Sequence, residues 1–307
     1  MCTLNRMTGW INHGLLRNHG RKLVWGIFLL GCAYFLIPFF SAAPYTWKLL
    51  HPACKIDQPL SPAMELITWT DENGVRTDFW FVPPQNGRVL VLVGGHNGTL
   101  ADWQAEMDHF SATGYGFVIF PDPACNDLPA SLGLKESKQV LAAVSFLRSR
   151  PEVTWVGSLG FSSGAAALLM AGPQMPEMQA MVLMGNFAEL RSEMLFQPSP
   201  FLSFSWLAQR SVILWFPLFT GVRVDQVRPV EAYASLPPLG LLLIYGEQEA
   251  ERTQAITQGQ TAKEGSARSV KLWIVPEAYH GEIPPDSQDQ YWQVLDELFL
   301  PENKLGY

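Results

Sequence analysis

The sequence predicts an α/β protein: a mostly parallel sheet with helices on both faces, carried behind one N-terminal apolar segment. Three observations predict it. Two alternating runs joined through Asp71-Glu72-Asn73-Gly74 feed a series of apolar, strand-like segments separated by amphipathic helical ones. One strand-to-helix junction in that series carries Gly160-Phe161-Ser162-Ser163-Gly164. The uncharged run Leu23 to Phe40 directly follows Arg21-Lys22.

As a helix, Leu23 to Phe40 would reach ~27 Å at 1.5 Å per residue, about the hydrocarbon thickness of a bilayer. No Asp or Glu precedes Asp57, while Arg6, Arg17, Arg21 and Lys22 lie before the run. That asymmetry makes residues 1–22 a cytoplasmic tail, 23–40 an uncleaved single-pass signal anchor, and everything beyond extracytoplasmic, in a periplasm-like compartment. Two processed forms stay open. Phe28-Leu29-Leu30-Gly31-Cys32 resembles a bacterial lipobox, which would make this a lipoprotein anchored at Cys32. A signal peptidase could also cut after Ser41-Ala42-Ala43, where Pro44 is unfavourable.

The chain has 307 residues, 16% of them charged, and a net charge of −7 concentrated beyond the anchor, which argues against nucleic acid as a partner. Cys54 and Cys125 both fall outside the anchor; they form either a disulfide between the post-anchor segment and the loop after a strand, or two unrelated buried thiols. With no C-x-x-C pair and no His/Cys cluster at metal spacing, no metal is expected.

Residues 41–62, punctuated by proline, read as a linker, and 63–307 as the folded unit. Met64 to Trp69 and Arg76 to Val82 form a hairpin across Asn73-Gly74. Arg88 to Val93 is apolar almost throughout, as a strand buried on both faces must be. Further strands are expected at Gly116 to Phe120, Thr154 to Leu159, Ala180 to Met184, Leu239 to Tyr245 and Val270 to Val275. Helices are expected at Leu100 to Thr113, Lys135 to Arg148, Ala165 to Ala171 and Asp289 to Phe299. Residues 186–236 interrupt the alternation. Within them Phe201 to Val222 is apolar enough for a second span, but Gln209-Arg210 and Pro217 oppose that. A crossing there would also separate Ser162 from the last strands. We read 186–236 as a helical cap, its apolar face lining a pocket or resting on lipid.

A serine hydroxyl needs a base to take its proton, and the base needs a group to orient it. Small residues around Ser162 permit the sharp turn that exposes the hydroxyl. His280 is the one histidine after Ser162, in a loop following a strand, where catalysts of parallel sheets collect. The acid belongs at the end of the preceding strand: Glu249 is chosen, with Glu247 the alternative. The interval from Glu249 to His280 leaves room for a helix and a strand. Oxyanion donors are expected from the backbone amides of Ser163 and of His96, in the loop Gly94-Gly95-His96-Asn97-Gly98-Thr99. That loop lacks the Gly-Lys-Ser/Thr ending of a phosphate loop. Its Asn97-Gly98-Thr99 is formally a glycosylation sequon, and a glycan there would obstruct the site, which favours a bacterial envelope setting.

Over about Met64 to Leu300 these features resemble the α/β-hydrolase superfamily, nearest its prolyl-oligopeptidase-like and serine-aminopeptidase-like branches. The resemblance rests on the hairpin, Gly94-Gly95-His96, Gly160-Phe161-Ser162-Ser163-Gly164, Pro237-Pro238 before the strand ending in Gly246-Glu247-Gln248-Glu249, and His280. It implies a mixed eight-stranded sheet and a triad that hydrolyses esters, amides or thioesters without a cofactor. The chain departs from the pattern in Gly94-Gly95 where His-Gly is usual, in a Glu acid where Asp is commoner, and in a polar Ser163. The expectation is a membrane-anchored serine hydrolase of carboxylic esters, with a small acyl ester or lipid as substrate. A catalytically silent hydrolase-fold scaffold or ligand-binding protein of the envelope is the rival reading. An acyltransferase, thioesterase or peptidase would use the same three residues.

Overall fold

A computed structural model describes residues 8–54, 58–196 and 200–300, with side chains from residue 21 onward. Arg6, Asp57, the side chain of Arg17 and the last seven residues of the 63–307 unit lie outside that description. Eight strands form one sheet in the order β1-β2-β4-β3-β5-β6-β7-β8. They are β1 (Glu65–Thr70), β2 (Arg76–Val82), β3 (Arg88–Val93), β4 (Gly116–Phe120), β5 (Trp155–Phe161), β6 (Met178–Met184), β7 (Gly240–Gly246) and β8 (Ser269–Val275). The β1–β2 and β2–β4 pairs are antiparallel and the other five are parallel.

The hairpin turn is closed by Asp71, whose Oδ1 accepts from the amides of Asn73 (2.9 Å) and Val75 (2.8 Å) while Gly74 takes φ 79°. From β3 the chain passes through α2 (Gln104–Ser111) to β4 on one side, then through α3 (Leu134–Arg148) to β5 on the other. The direction of winding therefore reverses between β3 and β5, and an open parallel sheet leaves a crevice at such a point.

The central strands are apolar without alternation because both faces are covered. Val89, Val91 and Val93 face a core with Val140 and Val144 of α3 and Leu168 of α4 (Ser163–Ala171). Leu90 and Leu92 face the opposite core, with Met107 and Phe110 of α2 and Tyr291, Leu295 and Phe299 of α8 (Gln288–Phe299). A further helix, α7 (Ala255–Glu264), connects β7 to β8 and packs on β8.

The N-terminal helix α1 spans Thr8–Leu50, and its part from Arg21 to Leu50 is long and apolar enough to cross a membrane. It does not stop at Phe40. It continues through Pro38 and Pro44 to Leu50, so the stretch read as a linker begins as helix. Proline removes one hydrogen bond from a helix interior; here packing compensates. Trp47 meets Phe219 edge-on, Leu50 is fully buried, and its carbonyl accepts from the amide of Ala130 at 2.8 Å. Cys54, just beyond, forms a disulfide with Cys125 in the loop after β4, Cα–Cα 5.5 Å.

Residues 186–236 contain α5 (Leu190–Leu195) and α6 (Phe204–Thr220). Ser203 caps α6 by accepting from the amide of Trp206 at 3.2 Å, and Gly221 ends it at φ 70°. Phe216 buries its ring with Leu50, Leu132 and Ala166, while Trp215 lies against Phe39 and Phe40. The helix therefore packs alongside α1.

Candidate active site

β5 delivers the chain to Ser162 at the crevice. Ser162 adopts φ 53°, ψ −121°, a sparsely populated conformation for a residue with a side chain, and α4 starts at Ser163. The turn is held by the Ser162 amide donating to the Met184 carbonyl at 2.8 Å. The glycines of Gly-x-Ser-x-Gly have steric causes. A Cβ on Gly164 would sit 2.2 Å from the Gly94 carbonyl oxygen, and one on Gly160 would sit 2.8 Å from the Ala165 Cα. Any larger residue at either position would push helix and strand apart.

His280, in the loop after β8, brings Nε2 to 3.0 Å from the Ser162 hydroxyl, and its Nδ1 bonds to Glu249 Oε2. With Nδ1 protonated, the ring donates to the carboxylate and accepts from the serine. Glu249 lies just after β7, 4% exposed, and its other oxygen accepts from the Gly246 amide at 3.1 Å. Glu247 is exposed and accepts instead from the Glu277 amide at 2.9 Å, so of the two candidate acids only Glu249 meets the imidazole.

Behind Glu249, a buried network fixes its loop. Gln258 on α7 donates to the carbonyls of Thr253 (2.7 Å) and Asn186 (3.0 Å), and its Oε1 accepts from Asn186 Nδ2 at 2.9 Å. The Thr253 hydroxyl donates to the Glu249 carbonyl at 3.0 Å. On the outer side Arg252 stands 3.6 Å from Glu249 and 3.3 Å from Glu193 of α5. Burial pushes the Glu193 carboxyl above its ordinary value, opposed by the Arg252 guanidinium. Gly185 seats the ring: it takes φ 60°, and a Cβ there would lie 2.7 Å from His280 Cε1.

The loop after β3 brings Gly95 against the nucleophile, close enough that a Cβ on it would be 3.0 Å from Ser162 Cβ. The His96 amide belongs to this loop. The Ser163 amide is the first of α4, one of the N–H groups that a helix leaves without an intrahelical partner. Asp122 braces the loop by accepting from the Asn97 amide at 2.9 Å, and burial pushes its carboxyl up. Asn97 Oδ1 in turn accepts from the Ala53 amide at 3.0 Å, beside the Cys54–Cys125 disulfide. The segment leaving α1 is thus bonded to the loop over Ser162.

A cavity of about 530 Å³ opens beside Ser162 and His280, with Trp103, Phe161, Met184, Tyr291 and Trp292 in its walls. This size suits a small organic ligand. Among the described residues none from 186–236 lines it, so the expected contribution of the cap to a pocket wall is not met here. Glu106, 9% exposed, also borders the cavity. Its Oε1 accepts from the Tyr291 hydroxyl at 2.6 Å, its Oε2 has no partner among the described residues, and burial pushes its pKa up. Among the described residues no group of His, Cys, Asp or Glu is arranged to hold a metal ion.

Sequence reasoning missed Gly185, Arg252, Glu193 and the Glu106–Tyr291 pair. Gly185 follows a strand end, as Gly94 does, and could have been weighed on that ground. The others owe their places to packing between distant segments and leave no local signal.

No protein-family model matches the sequence, and no curated protein sequence matches it. Solved structures do resemble the fold. The esterase Pf2001 of Pyrococcus furiosus superimposes with a TM-score of 0.61 at 18% identity, over 82% of this chain and 97% of its own. An acylaminoacyl peptidase of Pyrococcus horikoshii gives 0.56 at 17% identity, over 80% of this chain and 43% of its own. Est1E of Butyrivibrio proteoclasticus gives 0.54 at 14%, over 77% and 99%. At these identities what is shared is architecture.

Proposed function

We propose that this chain, whose fold is that of the α/β-hydrolases, is a membrane-anchored serine hydrolase of carboxylic esters, acting through Ser162, His280 and Glu249. The observation that carries the reading is the unbroken line from Ser162 Oγ through the imidazole, 3.0 Å away, to a carboxylate buried behind it.

In this reading His280 Nε2 takes the hydroxyl proton as Ser162 Oγ bonds to the ester carbonyl carbon. The carbonyl electrons move to oxygen, where the His96 and Ser163 amides receive the charge. Glu249 holds the tautomer and stabilises the imidazolium. The imidazolium then protonates the leaving alkoxide as the C–O bond breaks, leaving an acyl-serine. Water, deprotonated by His280, releases the acid and restores the hydroxyl. No cofactor enters these steps. The aromatic cavity beside Ser162 supports an apolar acyl or alcohol group.

Arg21-Lys22 before the apolar stretch of α1, and a disulfide beyond it, support an anchor with the catalytic unit on the oxidising, extracytoplasmic side. The likeness to an acylaminoacyl peptidase gives amides a second claim as substrates. Rates for p-nitrophenyl esters of graded chain length, with matched amides and thioesters, test both. We expect ester turnover that falls at least ~10³-fold in Ser162→Ala. Rates no higher than the uncatalysed reaction in both proteins would support a silent scaffold instead, and faster amide cleavage would favour a peptidase.

A further inference from the structure

We propose that α6 docks in the outer leaflet of the bilayer beside α1, so that the occupant of its exposed apolar face is membrane lipid and the substrate class is a membrane-resident acyl ester. The proposal rests on the anchor and hydrolase readings above and adds a second, interfacial membrane contact.

The face is a stripe. Phe204, Leu207, Leu214 and Leu218 recur on one side of α6, with Leu214 57% and Leu218 68% exposed; Val212, Phe216 and Thr220 on the opposite side are buried. Phe201, ahead of the helix, is 76% exposed. Water would not favour so much apolar surface on one face. Two observations select lipid as its cover.

First, the face is continuous with α1. The two helices run the same way: the Tyr34 hydroxyl donates to the Leu202 carbonyl, Trp215 packs on Phe39 and donates to its carbonyl at 2.8 Å, and Phe219 meets Trp47. If Phe40 marks the outer edge of the span, Tyr34 lies ~9 Å inside it at 1.5 Å per residue. The leading end of α6 and Phe201 then enter the leaflet to the depth of an interfacial helix, ~5–10 Å. Secondly, the charge pattern fits a lipid surface. Between Glu193 and Asp225 there is no acidic residue, only Arg210 and Arg223, and the Arg210 guanidinium lies 3.7 Å over the Trp206 ring. Trp and Arg are residues that settle at headgroup level.

Docked in this way, the cap stands between lipid and the catalytic rim, since Glu193 of α5 reaches Arg252 beside Glu249. The full chain, reconstituted in phosphatidylglycerol/phosphatidylethanolamine vesicles with a diazirine-bearing phospholipid, is photolysed and mapped by mass spectrometry. We expect adducts on Phe201, Phe204, Leu214 or Leu218 as well as within Leu23 to Phe40. The double variant Phe201→Glu/Phe204→Glu, at the end of α6 that enters the leaflet, should hydrolyse a vesicle-embedded ester ~10-fold more slowly while its turnover of a soluble short-chain ester stays within ~2-fold. Adducts confined to Leu23 to Phe40 would overturn the docking and leave the anchor standing. Adducts on neither helix would overturn both. A dimer of the full chain in detergent by sedimentation, dissociated by Leu214→Glu/Leu218→Glu, with no lipid adduct on α6, would assign the face to self-association and also overturn it. The soluble ester reports separately on the hydrolase reading.

Discussion

The rim of the sheet and the α1–α6 pair are held by opposite means. At the rim, loops from β3, β5, β7 and β8 are fixed by directional bonds: Asp122 to the Asn97 amide, Gln258 across to Asn186 and Thr253, Glu249 to the Gly246 amide and His280. Each of these polar groups has one geometry that satisfies it. In the helix pair two directional bonds, from Tyr34 to the Leu202 carbonyl and from Trp215 to the Phe39 carbonyl, accompany a much larger apolar contact of aromatic rings and leucines that meet along one side and remain exposed on the other. Contacts of that kind tolerate sliding and depend on what surrounds them. A catalytic geometry requires the first kind of order, and a membrane contact is served by the second.

Substitutions in each region test the contrast. The largest effect after Ser162 itself belongs to the acid. Glu249→Gln should lower kcat for a soluble ester by ~10³-fold or more, because the amide favours the wrong imidazole tautomer. Glu247→Gln should stay within ~3-fold. A reversed order would mean that the buried carboxylate is not the orienting group.

Next comes the tie between the two regions. Removing the Cys54–Cys125 bridge with paired serines releases a loop with a sequence separation of 71. The expected loss is ~2–4 kcal/mol, a melting point ~5–15 °C lower. Since Ala53 bonds to Asn97 in the loop above Ser162, kcat should fall as well, by ~2–5-fold. Unchanged melting in the double variant, measured by calorimetry under oxidising conditions, would show that the post-α1 segment contributes nothing to the fold.

The smallest effect concerns Glu106 in the cavity wall. Burial raises its folded pKa above the unfolded one, so the folded state binds the extra proton. The stability this contributes is fully present below the unfolded pKa and is lost as pH rises through the folded pKa. Glu106→Gln keeps an acceptor for the Tyr291 hydroxyl and removes the ionisation. It should therefore melt ~1–3 °C higher than the parent at pH 8 and no higher at pH 4. An equal shift at both pH values would remove ionisation as the cause.

How much of this was legible in the sequence follows the same division. The strands were readable because a strand covered on both faces must be apolar throughout, and Val89 to Val93 is. Ser162 was readable because steric demand confines glycine to fixed offsets around it. His280 and Glu249 were readable because chain order and strand ends limit the choices. What stayed hidden depends on contacts between distant segments. The prolines of 41–62 pointed to a linker, yet Trp47 and Leu50 find partners on α6 and near Ala130, and the helix runs on to Leu50. The cavity wall comes from α2 and α8, far apart in sequence, and not from the cap. Gly185 gains its importance only when His280, from another loop, arrives beside it.

The central claim is that the Ser162 hydroxyl is the reacting atom, made so by His280 and Glu249. Fluorophosphonate treatment of the full chain, followed by peptide mass mapping, tests it most directly. One phosphonyl adduct is expected, on Ser162, and its rate of formation should collapse in His280→Gln. An adduct only on a different residue, or ester turnover that survives full phosphonylation of Ser162, would rule that claim out.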